Sequence, residues 1–260
     1  MKQVWRFLQH LRRSRSIYRV HSPFVFEFCQ QVLPHRNSPA GKKIAGIRKA
    51  YLRDSREVEV VDFGAGQRKS GNKPSHRKLK ELVKSAARPA RQGELLHRIC
   101  QHYKPQRCLE LGTQVGLGTL YQASAVPQSE FITLEGAPAL AAEARKNFRE
   151  WPLKVSVLEG PFVHSLGEQL DLAAYRPDYV FLDGHHTYEA TLDYVRKILP
   201  HMPTGGMLIL DDIHWSAGME KAWAEICAME EIPLTVDLFF LGICFLRPRQ
   251  AKEHFSLRFF

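Results

Sequence analysis

Arg107-Cys-Leu-Glu-Leu-Gly-Thr-Gln-Val-Gly-Leu-Gly118 decides how the rest of the chain is read. A short apolar run, Cys108 to Leu111, stops at Gly112, and Gly116 and Gly118 follow closely. Thr119-Leu-Tyr-Gln-Ala-Ser-Ala then continues as a helix. Strand, glycine turn and helix in that order open a nucleotide-binding α/β sheet. Glycine lets the backbone turn tightly and approach a ligand where a Cβ would collide.

The pattern repeats downstream. Strands are predicted at 107–111, 130–135, 154–158, 178–183 and 206–211. Helices are predicted at 114–125, 137–149, 162–174, 187–199 and 216–229. Such alternation gives a parallel sheet with helices on both faces. Two β-rich runs, Leu234 to Phe240 and Ile243 to Leu246, are separated by Leu241-Gly242 and predict a closing antiparallel hairpin.

Upstream, Trp5, Leu8, Leu11 and Tyr18 recur near helical spacing among Arg6, Arg12, Arg13, Arg15 and Arg19. This predicts a basic amphipathic helix within 4–19, packed on the core or lying on a membrane surface. Ser22-Pro23 opens a second, apolar helix. Its Phe24, Phe26 and Phe28 serve packing or line an acceptor pocket. A linker over 34–50 leads into a helix near Ile44 to Leu52. Glu57-Val-Glu-Val-Val-Asp-Phe-Gly-Ala-Gly66 imitates a nucleotide-binding turn, but the residues after it have no apolar face to pack on a sheet. Residues 58–64 are therefore read as a strand and 66–76 as an exposed basic loop. One or two helices follow over 77–102. The organisation expected is a basic N-terminal extension, 1–89, and a main domain, 90–260.

A chain of 260 residues with 44% hydrophobic content can bury one large α/β core plus an appendage. No apolar run reaches the ~18 residues of a membrane span. The basic N-terminus lacks the apolar region of a secretory signal. Five cysteines without CxxC spacing predict reduced thiols, a cytoplasmic protein and no zinc site. Residues 1–105 hold 24 Lys+Arg against 7 Asp+Glu, whereas residues 106–260 hold 13 against 20. A basic front half favours an anionic partner or substrate, or is simply a solvated face.

Chemistry concentrates at strand ends. Glu135 closes the second strand of the main domain, where an acid can accept hydrogen bonds from ribose hydroxyls. Glu110 lies inside the first strand, where a carboxylate is costly without partners. It counts against a dinucleotide and suits a ligand bearing an ammonium group. Asp183 follows Val180-Phe-Leu, and Asp211-Asp212 follow Gly206-Met-Leu-Ile-Leu. If those strands are neighbours, three carboxylates converge and need a cation. Oxygen ligands with room for water suit Mg²⁺, with Mn²⁺ second. His186, three residues after Asp183, is a candidate general base. His185 and His214 lie near the same edge.

Together these pieces resemble the class I S-adenosylmethionine-dependent methyltransferases, and among them the cation-dependent O-methyltransferases related to catechol O-methyltransferase. The resemblance covers about residues 90–247. It rests on Leu109-Glu-Leu-Gly-Thr-Gln-Val-Gly, Thr133-Leu-Glu135, Phe181-Leu-Asp-Gly-His-His-Thr-Tyr and Gly205-Gly-Met-Leu-Ile-Leu-Asp-Asp. It implies a Rossmann-like, mostly parallel seven-stranded sheet ending in an antiparallel hairpin, with an N-terminal helical and hairpin extension. S-adenosyl-L-methionine would be held by Glu110, Gly112, Thr113, Gly116, Gly118, Glu135, Gly160 and Asp183. Glu110 and Gly112 would face its methionine part, Glu135 its ribose, and Glu159-Gly160-Pro161 its adenine. Asp183, Asp211 and Asp212 would hold Mg²⁺ or Mn²⁺, with His186 as catalytic base beside Asp183. Gly118 departs from the pattern, where such enzymes often carry serine.

The function expected is metal-assisted O-methylation of a small-molecule hydroxyl. A nucleic-acid methyltransferase is disfavoured because Asp-Gly-His-His stands where base-modifying enzymes carry Asn/Asp-Pro-Pro-aromatic. A non-catalytic cofactor-binding protein would not need Asp183, His186, Asp211 and Asp212. A dehydrogenase is disfavoured by Glu110. The acceptor is left open, as is the choice between monomer and homodimer.

Overall fold

The computed structural model describes residues 2–60, 75–86, 88–172 and 175–259. The strands are β1 (Glu57–Val60), β2 (Ser75–Lys78), β3 (Arg107–Leu111), β4 (Glu130–Glu135), β5 (Val155–Glu159), β6 (Tyr179–Leu182), β7 (Met207–Asp211), β8 (Leu234–Asp237), β9 (Leu241–Phe245) and β10 (Glu253–Ser256). The helices are α1 (Lys2–Arg13), α2 (Pro23–Gln31), α3 (Pro39–Tyr51), α4 (Leu79–Ala86), α5 (Ala90–Tyr103), α6 (Leu117–Ala123), α7 (Pro138–Phe148), α8 (Phe162–Asp171), α9 (Tyr188–Ile198) and α10 (Ala217–Ala228). None is long and apolar enough to cross a membrane. Contacts divide the chain into two compact units, residues 34–171 and residues 1–33 with 172–260. They draw a different line from the expected boundary at 89.

In the unit spanning 34–171, β3, β4 and β5 pair in parallel, with Leu109 opposite Ile132 and Ile132 opposite Ser156. β3 is buried from Cys108 onward, the mark of a strand covered on both faces. Residues 34–89 do not stand apart from this core. Ile44 and Tyr51 of α3 and Leu79, Leu82 and Val83 of α4 join Val115, Leu120, Ala141 and Ala144 in one buried cluster. The oily face of α3 is what a basic, Lys-rich composition concealed. Ser38 caps α3 by accepting a hydrogen bond from the Gly41 N–H, with Pro39 at the first helical position.

β1 and β2 form an antiparallel pair, Glu57 opposite Lys78. Ser75 and His76, expected in a loop, are thus paired backbone. The imitation glycine turn at Asp62 to Gly66 lies outside the described residues, as does most of the basic loop expected at 66–76.

In the other unit the strand order is β10-β8-β9-β7-β6. β6 and β7 are parallel, while β9 runs antiparallel to both β7 and β8. β10 adds to β8 in parallel. The two units therefore hold three and five α/β strands, one more than the seven expected. The extra strand, Glu-His-Phe-Ser, is too short and polar to show alternation.

The closing hairpin is present, but its turn is Leu238-Phe239-Phe240, with the Leu238 N–H donating to the Leu241 carbonyl at 2.9 Å. Leu241-Gly242, expected as the turn, begins β9. Gly242 is needed for packing instead, because a Cβ there would sit 2.6 Å from the Trp223 ring. Phe28 is fully buried and serves the core, while the half-buried Phe24 packs edge-on to Phe245 at 4.9 Å with Arg247 over its ring.

Candidate active site

Polar side chains gather at the carboxyl ends of strands in both units. In residues 34–171 the chain leaves β3 at Gly112 (φ +108°), passes Gln114 (φ +53°) and enters α6 through Gly116 (φ +82°). The turn is tied to β4 along its length. The Gly112 and Thr113 N–H groups both donate to the Leu134 carbonyl, at 3.0 and 3.2 Å. The Gln114 N–H donates to Glu135 Oε2 at 2.7 Å, and the Gly116 N–H to the Thr113 carbonyl at 2.8 Å. These four donors are spent on the protein. A dinucleotide site needs such donors for its pyrophosphate.

Glu135 is buried, and its other oxygen accepts from the Ala137 N–H at 2.9 Å. Burial pushes this carboxyl up to about 7, against the pull of the backbone N–H groups that favour the anion. A carboxylate has about four acceptor sites, so capacity remains beyond the backbone donors Gln114, Gly136 and Ala137.

Glu110 sits differently. It is 1% exposed, and Oε2 accepts from Thr119 Oγ1 at 2.5 Å and Thr133 Oγ1 at 2.6 Å. Oε1 accepts from Gln122 Nε2 at 2.6 Å. Desolvation raises its pKa, and the three donors oppose that. The carboxylate expected to face a ligand's ammonium group is occupied by side chains of its own unit. Thr113 belongs to the same network, 2.6 Å from Thr133 Oγ1.

Of the predicted glycines, Gly116 is a packing position, since a Cβ there would meet the Phe148 ring at 2.6 Å. At Gly118 a Cβ would lie 3.8 Å from Glu110 Oε1, which leaves room for a small side chain. Gly160 follows β5 with φ +128°, its N–H donating to the Glu135 carbonyl at 3.0 Å. The Glu159 side chain pairs with Arg145.

The second constellation lies in residues 172–260. Asp183 is the first residue after β6, and Asp211 ends β7 beside it. One ligand atom each from Asp183, His186 and Asp211 falls within a 4.8 Å group. His186 Nε2 stands 3.7 Å from Asp183 Oδ1, with about a quarter of each side chain exposed. Asp211 is buried. Asp212, expected as a third ligand, is not in that group. It takes a left-handed conformation (φ +53°) with its N–H on the Phe240 carbonyl at 2.7 Å. His185 turns toward the Tyr194 hydroxyl at 3.1 Å. His214 is held by Glu220 and Asp237, away from the expected grouping.

Residues 109–213 match the family described as a methyltransferase domain. More particularly, the chain is 29% identical to a catechol O-methyltransferase of Mycobacterium tuberculosis over 133 residues, 50% of this chain and 58% of that one. It is 34% identical to a catechol O-methyltransferase of Niastella koreensis over 125 residues, 47% and 56% of the two chains. The chain thus spans a little over half the length of the curated relatives it matches. Among solved structures, the O-methyltransferase of Bacillus cereus in complex with SAH aligns with a TM-score of 0.58 at 17% identity, covering 85% and 97% of the two chains. The O-methyltransferase TomG of Streptomyces achromogenes in complex with SAM gives 0.58 at 17%, covering 85% and 94%. The fold is that of these Rossmann-like enzymes, and the resemblance to class I S-adenosylmethionine-dependent methyltransferases holds.

Proposed function

We propose that the protein methylates a hydroxyl of a small-molecule acceptor, using S-adenosylmethionine and a divalent cation. One observation carries the reading: Asp183, His186 and Asp211 converge within 4.8 Å in a chain whose residues 109–213 match a methyltransferase domain. The catechol O-methyltransferase relatives support a small hydroxylated acceptor over a nucleic acid.

The donor set suits a hard cation, because two carboxylates meet beside a partly open edge where water can complete the shell. Asp183 and Asp211 would hold Mg²⁺ or Mn²⁺, which when bound lowers the pKa of the acceptor hydroxyl. S-adenosylmethionine supplies the methyl group.

The chain's own residues do the rest. Glu135 presents its remaining acceptor capacity to the ribose hydroxyls, and the Gly112 and Gly160 bends keep side chains clear of the approach. Glu110 fixes the geometry of the turn from inside. His186 accepts the hydroxyl proton at Nε2, next to the carboxylate of Asp183, which stabilises the imidazolium formed. Holding donor and acceptor in line supplies most of the rate.

The test is turnover of catechol with S-adenosylmethionine and Mg²⁺, with and without a chelator. The expected result is methylated catechol formed only without the chelator, with activity lost in Asp183→Ala. His186→Ala should keep cation binding while losing turnover. Full activity in chelator overturns the cation's part, and failure to bind S-adenosylhomocysteine overturns the whole reading.

A further inference from the structure

His10 of α1, His214 after β7 and Asp237 at the end of β8 meet in residues 1–33 and 172–260, apart from the group just described. One ligand atom from each lies within 4.8 Å of the others. His214 Nε2 is 2.9 Å from Asp237 Oδ2, and His10 Nδ1 is 3.3 Å from Asp237 Oδ1.

The other nitrogen of each ring fixes its tautomer. His10 Nε2 is 3.1 Å from the Leu257 carbonyl, which only accepts, so Nε2 carries the proton. His214 Nδ1 is 3.1 Å from Glu220 Oε1, an acceptor, and Arg6 Nε donates to Glu220 Oε2 at 2.8 Å. Nδ1 of His214 therefore carries its proton as well. In neutral rings the remaining nitrogens, Nδ1 of His10 and Nε2 of His214, present lone pairs to the lone pairs of Asp237. Either a proton or a metal ion between them removes that repulsion.

We propose that His10 Nδ1, His214 Nε2 and Asp237 bind a zinc ion. Two ligands each ~2.1 Å from zinc stand roughly 3.0–3.4 Å apart; the two histidine–aspartate distances here, 2.9 and 3.3 Å, are close to that, and all three ligand atoms lie within 4.8 Å. An imidazole whose second N–H is held by a carboxylate or a backbone carbonyl is the usual outer arrangement of a zinc-bound histidine. Glu220 and Leu257 supply both versions. The Phe239 N–H donates to Asp237 Oδ1 at 2.8 Å from a left-handed backbone (φ +75°), and its ring stacks on His214 at 5.2 Å. A bulky residue is rarely tolerated in that conformation unless its surroundings fix it.

All three ligands border a cavity of about 750 Å³ that Arg6, Arg13 and Arg15 also line. Three protein ligands leave a fourth position, and the arginines select water or an anion for it. The ion ties α1 to the β8–β9 turn. The cysteine pattern gave no hint of this, because the ligands are histidine and aspartate from distant stretches.

The test uses the full chain, stripped with EDTA and titrated with Zn²⁺ alone, or with Co²⁺ for its visible absorption. The expected result is an ion, separate from any held at Asp183 and Asp211, whose affinity falls at least about 100-fold in His214→Gln and in Asp237→Asn, and about tenfold in Glu220→Gln. Asp183→Asn leaves it unchanged. Nitrogen NMR of the imidazoles should move His10 Nδ1 and His214 Nε2 on adding zinc, while the other two nitrogens stay protonated. Hydrogen exchange should show residues 2–13 less protected after stripping. Imidazolium signals on both rings that ignore zinc would overturn the proposal. So would undiminished binding in a folded His214→Gln chain.

Discussion

Glu110 is the last but one residue of its strand and Asp183 the first residue past another, yet one is sealed and the other is partly exposed. Glu110 is the fourth of the five residues of β3, and three side-chain donors converge on its oxygens. Asp183 is the first residue past β6, keeps about a quarter of its side chain exposed and faces His186. The difference of one or two positions relative to a strand end separates architecture from chemistry. A carboxylate inside a strand must be satisfied by the protein. One just beyond the carboxyl edge can be left for a ligand.

The sharpest way to break this contrast is to remove each carboxylate. Glu110→Ala should destabilise the fold by about 3 kcal/mol, since it removes the acceptor shared by three buried donors and opens a cavity. Chemical denaturation measures it, and a loss under 1 kcal/mol would mean the network is dispensable. Asp183→Ala should leave the denaturation midpoint nearly unchanged while lowering kcat/KM for catechol by at least about 100-fold. A large stability loss there with normal turnover would invert the assignment.

The same contrast explains how much could be read without coordinates. Five parallel-strand segments and the glycine turn followed from short apolar runs ending at glycine or aspartate, and they recur within one or two residues. That Glu110 needs partners was also legible. Which partners was not, since Thr119, Thr133 and Gln122 come together only through the parallel pairing of β3 with β4 and the packing of α6. Asp212 lies outside the 4.8 Å grouping of Asp183, His186 and Asp211, and its backbone is left-handed just past the end of β7. His214 was drawn toward Asp237, a residue 23 positions later, which no spacing rule connects. β10 was missed because four mostly polar residues carry no periodic signal.

Glu135 lies between the two extremes, buried but with acceptor capacity to spare, and it sharpens the comparison. Glu135→Gln should weaken S-adenosylhomocysteine binding about tenfold by calorimetry, because the amide keeps only one acceptor oxygen. The smallest effect expected is on how binding varies with pH. The folded carboxyl titrates at about 7 instead of its ordinary 4.5, so between those values the folded chain holds a proton that the unfolded chain has released. This group's contribution to stability is therefore greatest below pH 4.5 and declines as pH rises through about 7. Cofactor binding should run the opposite way. If ribose hydroxyls donate to the anion, affinity rises with pH up to about 7, by at most roughly tenfold per unit, then levels. Glu135→Gln should flatten that profile, and an unchanged slope in the variant would remove Glu135 from the cofactor's contacts.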